Sequence, residues 1–292
     1  MLYMLYRLGK FIVSHIPLKV SYGLAKLVSS AYSFLSRGDR EAVIANLRVL
    51  FPNQSKKKLN AMAKEIFLNF GKYLVDFFRF PKVDKNYVDK YVNVQGLEHL
   101  TEALKGKKGV ILLSAHLGNW ELGGIIVPLL GIPFASVALS HKDPKINHFF
   151  MNHRAVTGGE VIGTSSSLKR CFSVLKDNHA LALVGDRDYF DNGIVVDFFG
   201  KPTSLPKGPA AFSRRFHSPI IPCFMIRNSD DTFNFSFYEP IMPILTKNEH
   251  QDLIETTKKV ARIMEGIIKQ HPTQWYVFRR FWERIGLERG PA

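Results

Sequence analysis

Cysteine is scarce in this 292-residue sequence, which contains only Cys171 and Cys223. Two cysteines exclude a disulfide framework and a metal site built from several thiolates. They are compatible with a reducing cytoplasmic setting. The fold must therefore be stabilised by an apolar core, and 46% apolar residues with 23 phenylalanines are enough to form a large one.

Long uncharged apolar runs are also missing, even from the apolar N-terminus. The longest N-terminal stretch without Lys or Arg lies between Lys26 and Arg37 and has ten residues. A transmembrane helix needs about 20 predominantly apolar residues, and the pattern of a removable signal peptide is not found either. A tilted span through residues 2–18, tolerating Arg7 and Lys10, is the alternative.

Acidic residues are outnumbered, with 25 Asp and Glu against 40 Lys and Arg, so the net charge is +15. Residues 1–58 carry ten basic and two acidic residues. Lys10, Lys19 and Lys26 recur among apolar residues, as in helices that lie in a membrane interface. This pattern favours an anionic membrane surface over nucleic acid, although an amphipathic helix packed on the domain would show it too.

Beyond the N-terminal region, apolar runs typical of strands alternate with helical patterns. This alternation predicts an α/β fold with a central mixed sheet flanked by helices. A helical, basic, membrane-associated region is expected over residues 1–80, with a long amphipathic helix ending before Pro81. The α/β core is expected over residues 81–292, and it includes a long helix over 250–270 and a Pro/Gly-rich loop around "FFGKPTSLPKG".

Polar residues follow one apolar run in the stretch "VILLSAHLGNWELGG", residues 110–124. His116 comes just after the run, at the end of a predicted strand, where reactive groups collect in α/β sheets. Glu121 lies five residues further on, in the first turns of the next helix. The two side chains can meet only if Glu121 folds back, and Gly118 permits the tight turn that this requires.

A paired histidine and carboxylate form a recognisable chemical unit. The carboxylate fixes the tautomer of the ring and stabilises imidazolium, so that the other ring nitrogen can accept a proton. No Ser or Cys nucleophile stands in a G-x-S-x-G turn beside His116. The pattern therefore indicates direct attack by a substrate hydroxyl, and the alternative is a structural histidine at a strand end.

The segment "HLGNWE" matches the His-x4-Asp/Glu motif of the glycerolipid acyltransferase superfamily. With Trp before the Glu, it resembles the lipid A biosynthesis (late) acyltransferases. "NHRAVTGGEVIG", "ALVGDRDYFDNG" with the residues that follow it, and "HPTQWYVFRRF" resemble further blocks of that family. The resemblance covers roughly residues 1–285, with the blocks in the family's order.

The resemblance implies transfer of a fatty acyl chain from an acyl thioester to a hydroxyl of a glycolipid, a lipid A precursor. The donor would be acyl carrier protein or acyl-CoA. By the resemblance His116 is the general base, Glu121 orients it, and Arg154 faces the oxyanion or an acceptor phosphate. Asp186 follows the apolar run "ALALVG", at another predicted strand end, and is expected near the site. Asn119 and Thr203 are further candidates for substrate binding.

No metal or cofactor is expected for this chemistry. The sequence spacing of His141, His148 and His153 matches no usual pattern of zinc ligands. The expected location is the cytoplasmic face of a bacterial inner membrane, with peripheral attachment or a single N-terminal anchor.

Other functions remain open from the sequence. The acceptor could be a phosphatidylinositol mannoside, a lysophospholipid or an ornithine-type lipid. A thioesterase would use His116 to activate water instead of a lipid hydroxyl. A non-catalytic basic protein that binds membrane or nucleic acid is a further alternative, and it would not depend on His116.

Overall fold

The computed structural model describes residues 2–164 and 167–283, so the end of the predicted core region, residues 284–292, lies outside the described residues. The N-terminal region contains four α-helices among its described residues: α1 (Leu2–His15), α2 (Leu18–Leu35), α3 (Arg37–Leu50) and α4 (Lys56–Arg79). Helix α4 is capped by the Ser55 side chain, which accepts a hydrogen bond from the Lys58 backbone N–H. It ends before Pro81, as predicted.

Strands and helices alternate in the rest of the chain. The strands are β1 (Val92–Gln95), β2 (Val110–Ser114), β3 (Phe134–Ala138), β4 (Glu160–Gly163), β5 (Ala180–Val184), β6 (Ile194–Phe198), β7 (Lys201–Leu205), β8 (Ile220–Arg227) and β9 (Phe233–Phe237). The helices are α5 (Lys85–Tyr91), α6 (Leu97–Lys105), α7 (Trp120–Leu129), α8 (Pro144–Arg154), α9 (Ser167–Lys176), α10 (Gly208–Phe216) and α11 (Glu249–Gln270). Short 3-10 turns follow α4 and α11.

Seven of these strands form one mixed sheet in the order β1-β9-β8-β2-β5-β3-β4. The strands from β8 to β4 run parallel to their neighbours, whereas β9 runs antiparallel to β8. The parallel strands therefore end at one common edge, where the following loops gather. The predicted central mixed sheet flanked by helices is confirmed.

Alternate residues of the strands pack into separate apolar clusters on the two faces of the sheet. On β2, Val110 and Leu112 pack beneath α6 and α7, on the side that we call the α7 face. Ile111 and Leu113 point to the opposite side, the α9–α10 face, where α9, α10 and α11 cover the sheet. Each fully buried side chain of this size contributes about 1.5–3 kcal/mol.

Strands β6 and β7 form a separate antiparallel hairpin where a loop is expected from the sequence. The hairpin turns at Phe199 and Gly200, whose φ angles of 57° and 74° are left-handed, as a two-residue type I′ turn requires. Ile194, Val196 and Phe198 are buried and their neighbours exposed, which is a strand pattern. The prolines and glycines nearby favour a loop in the sequence reading.

Helices α1 and α2 expose many large apolar side chains on their outer surface. These are Met4, Leu5, Leu8, Phe11, Ile12, Val20, Leu24, Leu27, Val28, Tyr32, Phe34 and Leu35. Among the described residues, no helix has the length and apolarity that crossing a membrane demands. The N-terminal region is helical, as predicted, and its contact with a membrane remains a prediction.

The contact between α2 and α4 contains a buried polar network. The Tyr22 hydroxyl of α2 donates a 2.5 Å hydrogen bond to Asp76 of α4. Arg227, at the end of β8, donates to Asp76 with one nitrogen and to the Tyr22 hydroxyl, at 3.0 Å, with another. Burial raises the pKa of Asp76 above its usual value, and Arg227 and the hydrogen bonds oppose that rise. The network ties the N-terminal helices to the sheet.

Removing the Tyr22 hydroxyl by Tyr22→Phe should lower the free energy of unfolding by about 2 kcal/mol, because a hydrogen bond to a buried charged group is lost. Tyr32→Phe on the same helix is the matched control, since its hydroxyl bonds Asp39 at the exposed surface, and it should cost under about 1 kcal/mol. Urea unfolding followed by circular dichroism measures both. Equal losses would contradict a special role for the buried hydroxyl.

Candidate active site

His116 and Asp186 lie at the same edge of the sheet because they follow neighbouring parallel strands. Ser114 at the end of β2 pairs with Val184 at the end of β5. Two residues beyond each strand end, the chain reaches His116 and Asp186. The placement of reactive groups at strand ends that the sequence predicts therefore brings these two together. They are 70 residues apart in sequence.

The His116 ring is bound to the buried carboxylate of Asp186. Nδ1 of the ring lies 2.7 Å from Asp186 Oδ1, and the His116 backbone N–H donates to the same oxygen at 3.2 Å. The Trp275 indole N–H donates to the other oxygen at 3.0 Å. A carboxylate acceptor at Nδ1 places the ring proton there, so Nε2 is the nitrogen that can accept a proton from a substrate.

Asp186 is ionised although it is fully buried. Burial by itself raises its pKa, but His116, Arg187 and the Trp275 N–H together hold the pKa of Asp186 well below its ordinary value. The Arg187 Nε lies 4.0 Å from Asp186 Oδ2. The arrangement is that of a carboxylate that orients a histidine and stabilises its protonated form.

Glu121 binds Arg154 instead of His116. Arg154 Nε and Nη2 donate to the two Glu121 oxygens at 2.8 and 2.6 Å, which makes a two-pronged pair. The hydrogen bond expected between His116 and Glu121 is not formed among the described residues. The reason is that Glu121 lies in the first turn of α7 and contacts the C-terminal end of α8, where Arg154 lies. Arg154, the predicted cation, therefore lies in the site, and Glu121, the predicted carboxylate, holds it there.

Aromatic rings surround His116. Trp120 lies edge-on to the His116 ring at 5.0 Å between ring centroids, and Tyr73 of α4 stacks on Trp120 at 4.7 Å. The Tyr189 ring lies 6.3 Å from the His116 ring between centroids. Burial raises the pKa of Tyr73 well above its usual value, so the phenol stays neutral. These rings give the histidine a rigid and mostly apolar surrounding.

The turn that carries His116 is fixed by backbone hydrogen bonds. Gly118 has a φ of 64°, and a Cβ there would lie 2.0 Å from the Met225 carbonyl oxygen, so glycine is required. The Gly118 N–H donates to the Gln274 carbonyl at 2.9 Å, and the Tyr276 N–H donates to the His116 carbonyl at 3.0 Å. The segment after α11 therefore holds the turn in place.

Asn119 connects the turn to the buried network under α2. Its side-chain oxygen accepts from the Leu122 N–H at 3.1 Å and caps α7, and its amide donates to Asp76 at 2.7 Å. Asn119 is buried, and it is not among the described residues that line the cavity. The structure thus places this predicted site residue behind the reacting groups, where it positions the first turn of α7.

Sequence reasoning missed Asp76, Arg227 and Gln274, which support the turn. A weak signal exists for two of them. Asp76 interrupts the apolar stripe of α4, and Arg227 ends an otherwise apolar strand. Buried charges of this kind need partners, but the sequence does not say which ones, because Asp76 and Arg227 are 151 residues apart.

A cavity of about 1060 Å³ opens at His116, Glu121 and Arg154. It extends along the α7 face, where glycines on α7 leave room between the helix and the sheet. A Cβ at Gly124 would lie 3.7 Å from the Phe134 ring, and one at Gly123 would lie 3.3 Å from the Phe235 ring. The cavity wall on this face is mostly apolar.

The other residues singled out in the sequence lie in different places. Thr203 is on β7, where its hydroxyl donates to the Lys201 carbonyl and accepts from the Trp282 indole N–H, and it is not among the described residues that line the cavity. His141 lines the cavity. Burial lowers the pKa of His153 to about 4, and its ring donates to the carbonyl of Phe149.

Comparison with known proteins gives a consistent result. The profile of the family described as bacterial lipid A biosynthesis acyltransferase matches residues 1–284. A phosphatidylinositol mannoside acyltransferase of Mycobacterium tuberculosis is 28% identical over 73% of this chain and 68% of its own length. One from Mycolicibacterium smegmatis is 26% identical over 73% and 70%. The lipid A biosynthesis palmitoleoyltransferase of Escherichia coli is 26% identical over 89% and 83%.

The Asp186→Asn variant tests the buried carboxylate through the pH dependence of stability. Because the native pKa is lowered, the ionised group stabilises the fold above its unfolded pKa of about 4, and this contribution is lost as the pH falls toward the native pKa. Asp186→Asn should lower the free energy of unfolding by about 3 kcal/mol at neutral pH. The difference from wild type should shrink at about pH 3, and a difference independent of pH would contradict the ionised state. Denaturant unfolding at several pH values measures it.

Proposed function

Since the chain belongs to the bacterial lipid A biosynthesis acyltransferase family and is an acyltransferase, we propose that it moves a fatty acyl chain from an acyl thioester to a hydroxyl of a lipid A precursor. The observation that carries the proposal is a histidine oriented by a buried carboxylate at the mouth of a large, mostly apolar cavity. We propose acyl carrier protein as the donor, with acyl-CoA as the alternative.

The proposed chemistry uses His116 as a general base. Nε2 takes the proton of the acceptor hydroxyl while the hydroxyl oxygen attacks the thioester carbonyl carbon. Asp186 stabilises the imidazolium that forms. The tetrahedral intermediate then collapses, the carbon–sulfur bond breaks, and His116 returns the proton to the departing thiolate. An ester and a free thiol are the products, so protons and electrons balance.

The pair of Glu121 and Arg154 has a separate task in this proposal. Glu121 occupies two nitrogens of the guanidinium and fixes its orientation, while Arg154 Nη1 is buried with no hydrogen-bond partner among the described residues. A buried N–H needs an acceptor. We propose that this N–H binds a substrate oxygen, either the carbonyl oxygen that becomes the oxyanion or a phosphate oxygen of the acceptor.

The acyl chain fits the cavity on the α7 face. Leu112 and Ala182 pair with each other and line it near the edge of the sheet that carries His116, and Phe134 lines it further in. Phe134 pairs with Ala180, four residues before Val184, which is roughly 13 Å along the strand. An apolar slot of that depth, beginning at the histidine, suits a fatty chain.

A phosphatidylinositol mannoside is the second candidate acceptor. The two mycobacterial relatives named for it are as similar to this chain as the Escherichia coli relative is. A lysophospholipid and an ornithine-type lipid are further alternative acceptors, and the same experiment tests them. Hydrolysis of the thioester by water is the remaining alternative reaction.

The activity test compares purified wild type with His116→Ala and Asp186→Asn. Labelled acyl-acyl carrier protein is offered with a lipid A precursor, a phosphatidylinositol mannoside, a lysophospholipid and an ornithine-type lipid, and mass spectrometry identifies the products. We expect a new ester on the lipid A precursor, and a fall in kcat of about 100- to 10,000-fold in both variants. Undiminished transfer by His116→Ala would contradict the mechanism, and release of free fatty acid alone would identify a thioesterase.

A matched control separates the Glu121–Arg154 pair from ordinary ion pairs. Glu121→Gln should reduce kcat/KM through Arg154, whereas Glu160→Gln should leave it unchanged. Glu160 makes the same two-pronged contact with Arg170, but at the exposed surface.

We also propose that residues 1–80 bind the protein to the cytoplasmic face of an anionic bacterial inner membrane, leaving residues 81–292 to carry out the reaction. Helices α1 and α2 combine an exposed apolar surface with Arg7, Lys10, Lys19 and Lys26. Apolar residues in the interface and cations at the headgroups are the two contributions that hold such helices on anionic lipid.

Membrane binding is tested by Leu27→Asp on α2. The side chain is 69% exposed, so the change should spare the fold and weaken binding to phosphatidylcholine–phosphatidylglycerol vesicles by about tenfold or more. Val195→Asp on β6, where the side chain is 60% exposed, is the control and should bind like wild type. Vesicle flotation measures both, and equal binding by the two variants would contradict the proposal.

A further inference from the structure

The cavity at His116 is not confined to the α7 face of the sheet. Neighbouring residues of a strand point to opposite faces, and both Ala182 and Leu183 of β5 line the cavity. So do Ser136 and Val137 of β3. The cavity therefore passes around the carboxyl edge of the sheet, and His116 lies near the point where it bends. Its second branch is on the α9–α10 face.

The branch on the α7 face is closed at its inner part. Phe134 and Cys223 are 8% and 7% exposed, and Met225 and Phe235 are almost fully buried. In the proposed function this branch holds the acyl chain, and the inference below rests on that function.

A third side of the cavity belongs to the N-terminal helices. Tyr6 of α1 and Phe70 and Leu74 of α4 line it. Because α1 also carries part of the exposed apolar surface, a lipid acceptor that arrives from the membrane reaches His116 from this side.

The second branch has a different character, with an apolar floor and an open rim. Cys171 of α9 and Phe212 of α10 form a buried floor, while Leu168 is 63% exposed and Lys207 lies at the surface, and all four line the cavity. We call this branch, defined by these four residues, the α9–α10 groove.

The rim of the α9–α10 groove is predominantly positive, and the one acidic residue nearby that lines the described cavity beside β7, Asp188, accepts hydrogen bonds from Ser204 and Gly193. Residues 167–176 and 201–216 contain no Asp or Glu. Within the part of the chain that the structure describes, Lys169, Lys207 and Arg215 take part in no ion pair. The Arg215 guanidinium lies over the Phe172 ring, 4.9 Å from its centroid, so its charge sits between α9 and α10.

We propose that the α9–α10 groove binds the pantetheine arm of the acyl thioester donor. The arm is an uncharged chain that ends in a phosphate, which suits an apolar floor that leads to a rim of cations. If the acyl chain lies on the α7 face and the thioester lies at His116, the pantetheine arm must continue around the edge of the sheet to the α9–α10 face. The third side then stays free for the acceptor. Coenzyme A and acyl carrier protein share this arm.

The test uses Leu168→Asp and Lys207→Glu in the full chain, with both substrates varied. For each variant, KM for acyl-CoA and for acyl-acyl carrier protein should rise about tenfold, the factor that a loss of about 1.4 kcal/mol of binding free energy produces. KM for the glycolipid acceptor should change much less. With an acyl-N-acetylcysteamine thioester, which lacks the phosphate and most of the arm, the variants should approach wild type.

Met242→Asp is the matched control, because Met242 is exposed to a similar extent, 61%, and lies outside the described cavity lining. A rise in acceptor KM alone would assign the groove to the acceptor and overturn the proposal. A shift in the chain length of the product would assign it to the acyl chain, with the same consequence. A rise for acyl-acyl carrier protein but not for acyl-CoA would restrict the contact to the protein surface and also overturn it.

Failure of the groove is distinguishable from failure of the proposed function. If wild type transfers acyl chains and the donor KM of both variants stays unchanged, only the proposal that the groove binds the pantetheine arm is wrong. If wild type transfers no acyl group from any of the three donors, the proposed function itself is wrong.

Discussion

A carboxylate removed from water must be surrounded by hydrogen-bond donors or by cations, and two such carboxylates hold the segment that carries His116. Asp186 accepts from the His116 ring and backbone and from Trp275, while Asp76 accepts from Tyr22, Asn119 and Arg227. Each draws donors from distant parts of the chain. The position of the His116 ring therefore depends on how the N-terminal helices, the sheet and the segment after α11 are packed together.

Much of the fold could be predicted from the sequence, because strand and helix periodicities are local. Alternating apolar runs predict the mixed sheet, and helix α4 ends before Pro81. The hairpin of β6 and β7 was missed since its turn-forming residues favour a loop, and only the burial of alternate residues shows a strand. Local composition and tertiary burial disagree there, and tertiary burial decides.

The residues of the site could be predicted from the sequence, but the hydrogen-bonded pairs that they form could not. Strand ends point to His116 and Asp186, and the motif points to Glu121, all of which lie in or behind one cavity. Motif spacing suggests that His116 pairs with Glu121. The pairing is decided instead by strand register and by the approach of α8, which connect residues 70 and 33 positions apart. A single sequence contains no information on such distances.

The charge of +15 is distributed unevenly, with cations on the surface and nearly balanced charges around His116. Around His116 each buried charge has a partner of opposite sign, as in Glu121 with Arg154 and Asp186 with Arg187. Among the described residues, the cations that take part in no ion pair include Lys19 and Lys26 on α2 and Lys169, Lys207 and Arg215 around α9 and α10. Cations at the surface attract anionic molecules over about a Debye length, whereas the ion pairs around His116 fix the orientation of the side chains there. Long-range attraction and the geometry of the site can therefore be adjusted separately, because they depend on different charges.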